Sequence, residues 1–284
     1  MRLYTIKNVL KVVVFLSLIN VSEATNIFAQ SLTEESPVHT PESLGIGTEL
    51  KSAPTLAEVM ALNEEFLYHV SYGFFHLGEV RVIMHKDTVY NGEPAILFEN
   101  RMKANASLPF VGNKEEHFKS FLTWDGKKLV ERYFFVDDLD DNKPKEIEYI
   151  FDYELNKVIC KKGGIVKDTL ELKPGASGGD TVFMLSRIHA VESGSYQMPV
   201  YVNYNEGPLS AVTTKIGEKR SYKAFTEDVL TIRSEGLANF EGPFGFSGKF
   251  TSWFAADSTR IPLEAHAKVW IGNVKVRLER YKRW

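Results

Sequence analysis

Gly175-Ala176-Ser177-Gly178-Gly179 fits G-x-S-x-G, the pattern that places a nucleophilic serine on a sharp strand-to-helix turn. That chemistry needs a buried apolar strand before the serine, a helix directly after it and a parallel sheet around both. Glu171, Lys173 and Pro174 precede the motif here, so it reads as a loop and Ser177 is not expected to catalyse. Asp138, Asp140 and Asn142 open like a calcium loop, which must then turn at a Gly and end in a bidentate Glu. Lys143 and Tyr149 occupy those places, so Asp137 to Asp141 read as a solvated acidic hairpin tip. Gly242, Gly245 and Gly248 make no phosphate cradle, because Pro243 and Phe250 stand where a P-loop needs Gly and Ser or Thr. His69, His76 and His85 have no carboxylate or Cys companion that would make a metal signature. Cys160, the single cysteine, sits in the alternating stretch Lys157-Val158-Ile159-Cys160-Lys161 and reads as a small buried apolar side chain. No catalytic residue, metal or cofactor is therefore expected, and the chain reads as a non-enzyme.

The composition rules out several classes of protein but reveals no activity. With 34 Lys+Arg against 37 Asp+Glu, the formal charge of -3 provides no basic field for nucleic acid. Arg2, Lys7 and Lys11 flank an apolar run from Val12 to Val21, followed by small residues up to Ala29. That is the layout of a secretory signal peptide over 1–29. The run falls short of the ~20 apolar residues that span a bilayer, so no transmembrane insertion is expected. No Cys near the cleavage point offers a lipid anchor. A soluble periplasmic protein follows. Its one cysteine cannot form an internal disulfide, so a sizeable core must hold the fold.

Residues 30–55, rich in Ser, Thr, Glu and Pro, read as a flexible lead-in, and 56–284 as a single β-rich domain. Thr55 to Glu58 forms a capping box for a short helix that runs to about Glu64. Strand signals then dominate: Phe66 to Tyr72, Val80 to Met84, Pro94 to Ala104, Lys128 to Val136, Lys145 to Tyr153, Lys157 to Lys161 and Val166 to Lys173. Asp180 is placed to N-cap a helix over Thr181 to Glu192. Strands resume at Met198 to Tyr204, Ala211 to Ile216, Lys219 to Phe225 and Val229 to Ser234, and three more end the chain. More than ten strands without a βαβ rhythm predict a mainly β fold: a large curved antiparallel sheet or incomplete β-barrel with two or three short helices. A two-layer β-sandwich is the alternative.

The closing stretch is the most specific: Trp253, Asp257, Arg260, Ile261 and Pro262, then Gly272 before Val274. It resembles the C-terminal signature of the exported bacterial family named domain of unknown function 3108, and the similarity extends over about residues 60 to 281. The resemblance implies a periplasmic, barrel-like β protein and brings no reaction with it. Physically, Asp257 to Arg260 can turn between two strands, with Arg260 pairing Asp257 across the turn. Pro262 must begin a strand or lie on an edge, and Trp253 should bury its ring on the sheet.

Several strands carry apolar residues on both faces, as in Ala95 to Phe98. A curved sheet around an apolar groove accounts for that, with Tyr68, Tyr72, Trp253 and Trp270 as candidate wall residues for a lipid-like or polymeric envelope component, a hydrophobic or glycan-like ligand. An envelope scaffold without a cavity is the rival, and a hydrolase comes third. The strand pattern leaves open which face points inward, because one register slip reverses it, and the oligomeric state is equally open.

Overall fold

Short alternating stretches, each too small to bury itself, require a partner on both sides, and the chain supplies them in series. The computed structural model describes residues 46–108, 114–124, 128–138, 145–242, 246–269 and 272–284. The signal-peptide segment, most of the lead-in, the centre of the acidic tip and Trp270 lie outside the described residues. Thr55 opens helix α1 (Leu56–Met60) with the expected capping box: Glu58 N–H donates to Thr55 Oγ1 at 3.2 Å, and Thr55 N–H donates to the Glu58 carboxylate at 2.7 Å. Eight strands follow: β1 (Glu64–Tyr72), β2 (Phe75–Tyr90), β3 (Glu93–Ala104), β4 (Glu115–Trp124), β5 (Leu129–Asp138), β6 (Lys145–Asp152), β7 (Lys157–Lys162) and β8 (Ile165–Glu171). After the two-residue β9 (Ser177–Gly178) and helix α2 (Val182–His189) come β10 (Ser195–Val202), β11 (Asn205–Arg220), β12 (Val229–Ala238), β13 (Gly248–Ala255), β14 (Pro262–Val269) and β15 (Gly272–Arg283).

All fifteen strands join one sheet, in the order β8-β7-β6-β5-β4-β3-β2-β1-β15-β14-β13-β12-β11-β10-β9. The chain enters at the middle with β1, steps outward by hairpins to β8, crosses to β9 at the other edge, and steps back until β15 pairs with β1. Neighbours are antiparallel except β9 and β10. Only residues 172–176 connect the two edge strands, so the sheet must curl until its edges lie within about 20 Å. This is the incomplete barrel, left open at the β8/β9 seam. Tyr201 bolts the seam: its hydroxyl donates to the Glu171 carbonyl at 2.6 Å and accepts from Lys173 N–H at 2.9 Å.

The curl is filled from inside by three clusters. Phe66, Tyr68, Met84, Phe98 and Leu263 pack with both helices; Phe118, Phe134, Tyr149 and Phe151 meet Tyr201 across the curl; and Val182 of α2 meets Met198, Val200, Leu209 and Ala238. Helix α2 is fastened by a fully buried ion pair. Arg187 donates to Glu64 at 2.5 Å and to the Thr259 carbonyl at 2.6 and 2.9 Å, while Tyr281 donates to the same carboxylate at 2.6 Å.

Three local expectations need correction. Helix α2 is shorter than Thr181 to Glu192, and Thr181, not Asp180, is its N-cap, because the Asp180 carboxyl is drawn into a buried cluster instead. The two strands expected over Ala211 to Phe225 are largely one long strand, β11, which takes up bulges on either side of Lys215 to Ile216, so Gly217 does not end it. Strand β4 was unforeseen: its inward row Phe118, Ser120 and Leu122 is broken by a polar residue.

Candidate functional site

The register of β10 to β14 aligns Tyr196, Ala211, Gly236, Phe250 and Ala267 in one row across five strands. These side chains turn toward the helix side: Tyr196 donates to Ser186 of α2 at 3.0 Å, and Phe250 packs with the Val182 cluster. Phe250 lies so close over Gly236 that a Cβ there would meet its Cζ at 2.3 Å, so the row requires glycine at that point. On the opposite face the row leaves bare backbone between two rows of outward side chains. Ser195, Val212, Glu235, Thr251 and His266 form one wall, and Gln197, Ser210, Leu237, Lys249 and Asn273 the other. The result is an open trench of about 880 Å³. It crosses from β10 to β15, five inter-strand steps or about 24 Å. Hydroxyl, amide and amine groups line it together with the Glu235 carboxylate and the His266 imidazole, and Val212 and Leu237 are exposed apolar patches.

One wall is held by a charged cluster. His266 Nε2 is 2.6 Å from Glu264, and its ring lies 4.7 Å from that of Trp253. Arg220 covers the indole at 4.5 Å and donates to Glu264 at 2.7 Å, while Arg233 approaches the indole at 5.7 Å. Burial alone would raise the Glu264 carboxyl, but the His266 and Arg220 hydrogen bonds and the charge of Arg277 hold it down at about 2. Trp253 is thus buried on the outer face by charged side chains, where it positions His266 at the trench.

The Asp257 to Arg260 turn is structural. Asp257 accepts from Thr259 N–H at 2.8 Å and from Gly47 N–H at 2.5 Å. Arg260 does not reach the Asp257 carboxylate as expected. Its guanidinium donates to the carbonyls of Ala256, Asp257, Ala190 and Lys51, because four carbonyls converge on this buried point. The residue itself sits at φ 47, a left-handed conformation sustained by those contacts. Residues 46–53, the end of the expected lead-in, are thereby pinned to the barrel, with Leu230 N–H donating to Gly47 and Lys51 N–H to Ala256. Pro262 begins β14, as its missing donor requires, and Gly272 begins β15.

A second buried constellation explains the glycine-serine loop. Ser120 Oγ lies 2.7 Å from both Glu131 and Asp180 carboxyl oxygens. Gly178 N–H and Thr181 Oγ1 donate to the other Glu131 oxygen at 2.6 and 2.7 Å, and Ser177 Oγ bonds Thr181 at 2.8 Å. One serine proton cannot satisfy two carboxylates, so at least one acid keeps its own proton. Burial drives this, raising Glu131 to about 7 against the pull of its donors, and it raises Asp180 well above the carboxylate range together with the charge of Glu131. A Cβ at Gly178 would stand 2.5 Å from Glu131 and 2.7 Å from Phe134, so this glycine exists for close approach of β9 to β5. Ser177 is buried in the same network, without the histidine that activates a nucleophile. The Cys160 thiol is likewise buried, which pushes it up to about 12 and away from thiolate chemistry.

Of the expected wall residues, Trp270 lies outside the described residues, and Tyr68, Tyr72 and Trp253 stand in three different settings. Tyr68 is core, its hydroxyl donating to the Pro262 carbonyl at 2.9 Å. Tyr72 stands half-exposed on the β1–β2 turn with its ring against Gly272. Among the described wall residues, Trp253 alone adjoins the trench, through His266. The trench residues escaped sequence reading because they are small or polar and spread over six strands; register alone assembles them.

The profile of a family described as Protein of unknown function (DUF3108) matches residues 67–279. No curated protein matches the chain. Among solved structures, a β-barrel-like protein of domain of unknown function DUF1849 from Brucella abortus is similar over 78% of this chain and 98% of its own, at 11% identity and a TM-score of 0.51. A protein with a YmcC-like fold from Bacteroides fragilis aligns over 82% of this chain and 100% of its own, at 10% identity and a TM-score of 0.32.

Proposed function

The chain belongs to the DUF3108 family of proteins of unknown function, and from its surface we propose a non-enzymatic protein of the cell envelope that binds an extended, glycan-like polymer along the trench. The observation that carries this reading is the trench itself: long, open, floored by backbone and walled by hydroxyl, amide and amine groups beside small apolar patches. A sugar polymer presents alternating hydroxyl edges and apolar ring faces, which that lining matches. An acyl chain needs enclosure to leave water, and the large aromatic side chains that could enclose one are packed in the core clusters. The basic start and apolar run before Ala29 support delivery to the envelope.

Calorimetric titration with chitin oligosaccharides and, separately, with a fluorescent fatty acid tests the reading. Saturable binding of the longer oligosaccharides is expected, lost in Thr251→Trp, which fills the trench from an outward position. Fatty-acid binding without oligosaccharide binding would restore the lipid reading, and binding of neither would favour the scaffold.

A further inference from the structure

The β1–β2 turn carries three aromatic rings in succession around Gly73: Tyr72, Phe74 and Phe75. Phe74 is 89% exposed, the most exposed large apolar side chain among the described residues. Tyr72 and Phe75 are partly exposed beside it, and the Phe74 and Phe75 rings lie 4.2 Å apart. The Tyr72 ring braces the turn against Gly272 at the start of β15, so Phe74 projects from a supported base.

Positive charge flanks this tip on the β13 to β15 side. Lys275 stands opposite Ser71 on β15, and Lys268 stands opposite Asn273 on β14. Lys249 precedes Phe250, which pairs with Ala267, and so lies one step from Lys268. None of the three makes an ion pair among the described residues, whereas the neighbouring Arg233, Arg277 and Lys223 all do. The three lysines belong to adjacent strands at the end of the sheet where the tip projects.

We propose that this end of the barrel docks on an anionic lipid bilayer surface, with Phe74 and Phe75 entering the headgroup boundary and Lys268 and Lys275 meeting lipid phosphates. A tip that protrudes offers no groove to hold a peptide, but a bilayer deforms around it. Loose lysines flanking exposed rings are the combination that peripheral membrane binding uses. The docking does not depend on what the trench binds.

Flotation of the purified protein with vesicles of phosphatidylethanolamine and phosphatidylglycerol tests this, against vesicles of phosphatidylcholine alone. The protein is expected to float with the anionic vesicles and far less with the neutral ones. Phe74→Ser should lower the partition coefficient about tenfold, as loss of one inserted ring implies. Lys268→Glu with Lys275→Glu should abolish the preference for anionic lipid. All three positions are solvent-facing, and an unchanged thermal transition verifies the fold of each variant. A wild-type protein that stays off anionic vesicles overturns the proposal, and so does a Phe74→Ser variant that binds as well as wild type.

Discussion

At the scale of single residues, the buried ionisable groups are fasteners. Removing Arg187 would leave the Glu64 carboxylate uncompensated in the core, so Arg187→Ala is expected to cost about 3–5 kcal/mol in urea unfolding. Replacing both partners by Met should cost much less, because no lone charge remains. The Glu131–Asp180 pair makes a different prediction. Burial holds the Glu131 pKa at about 7, above its ordinary value of 4.5, so the folded state binds this proton more tightly than the unfolded chain. The stability it supplies is full below about pH 4.5 and is lost as pH rises through 7. Glu131→Gln imitates the protonated acid at Ser120, Gly178 and Thr181. The Tm of this variant should therefore change less between pH 5 and pH 8 than that of the parent, by calorimetry. An equal slope in both would show that the pair does not hold the proton.

At the scale of elements, the hairpin that carries the family signature also clamps residues 46–53. Asp257→Ala leaves the buried N–H of Gly47 and the part-buried N–H of Thr259 without their acceptor. A loss of about 2–4 kcal/mol is expected, read as a lower urea midpoint with little change in slope. Hydrogen exchange at Lys51 and Leu230, whose N–H groups bond across this clamp, should rise together in the variant. Sequence periodicity found most strands because apolar alternation survives in them, and the capping box located the start of α1. The helix ends at Met60, however, and Glu64, its expected end, already begins β1. Periodicity failed where an inward position is polar. Ser120 interrupts β4, and Asp180 resembles a helix cap but serves a buried acid pair, since both answer to partners more than ten positions away. The expectation for Arg260 erred for the same reason: its four carbonyls come from Lys51, Ala190 and the turn itself, and only the folded chain brings them together.

At the scale of the whole molecule, the strand pattern predicts a large curved antiparallel sheet with a two-layer sandwich as its alternative. The single continuous sheet decides for the former, while its contents and outer relief are not legible in the pattern. Large aromatic residues drew attention as a cavity wall, yet burial favours them as core, and Tyr68 sits there. The trench is built instead from residues with little individual signal, aligned by strand register and by a glycine that lets Phe250 lie flat over the sheet. The proposed occupant of this outer trench is an extended sugar polymer. Amide chemical-shift mapping of the labelled protein with a chitin oligosaccharide tests it most directly. The largest shifts should fall in one band across the sheet, at Ala211, Gly236, Phe250 and Ala267, and the band should disappear in Thr251→Trp. Shifts centred on the core around Val158 and Tyr149, or no saturable shifts at all, would contradict it.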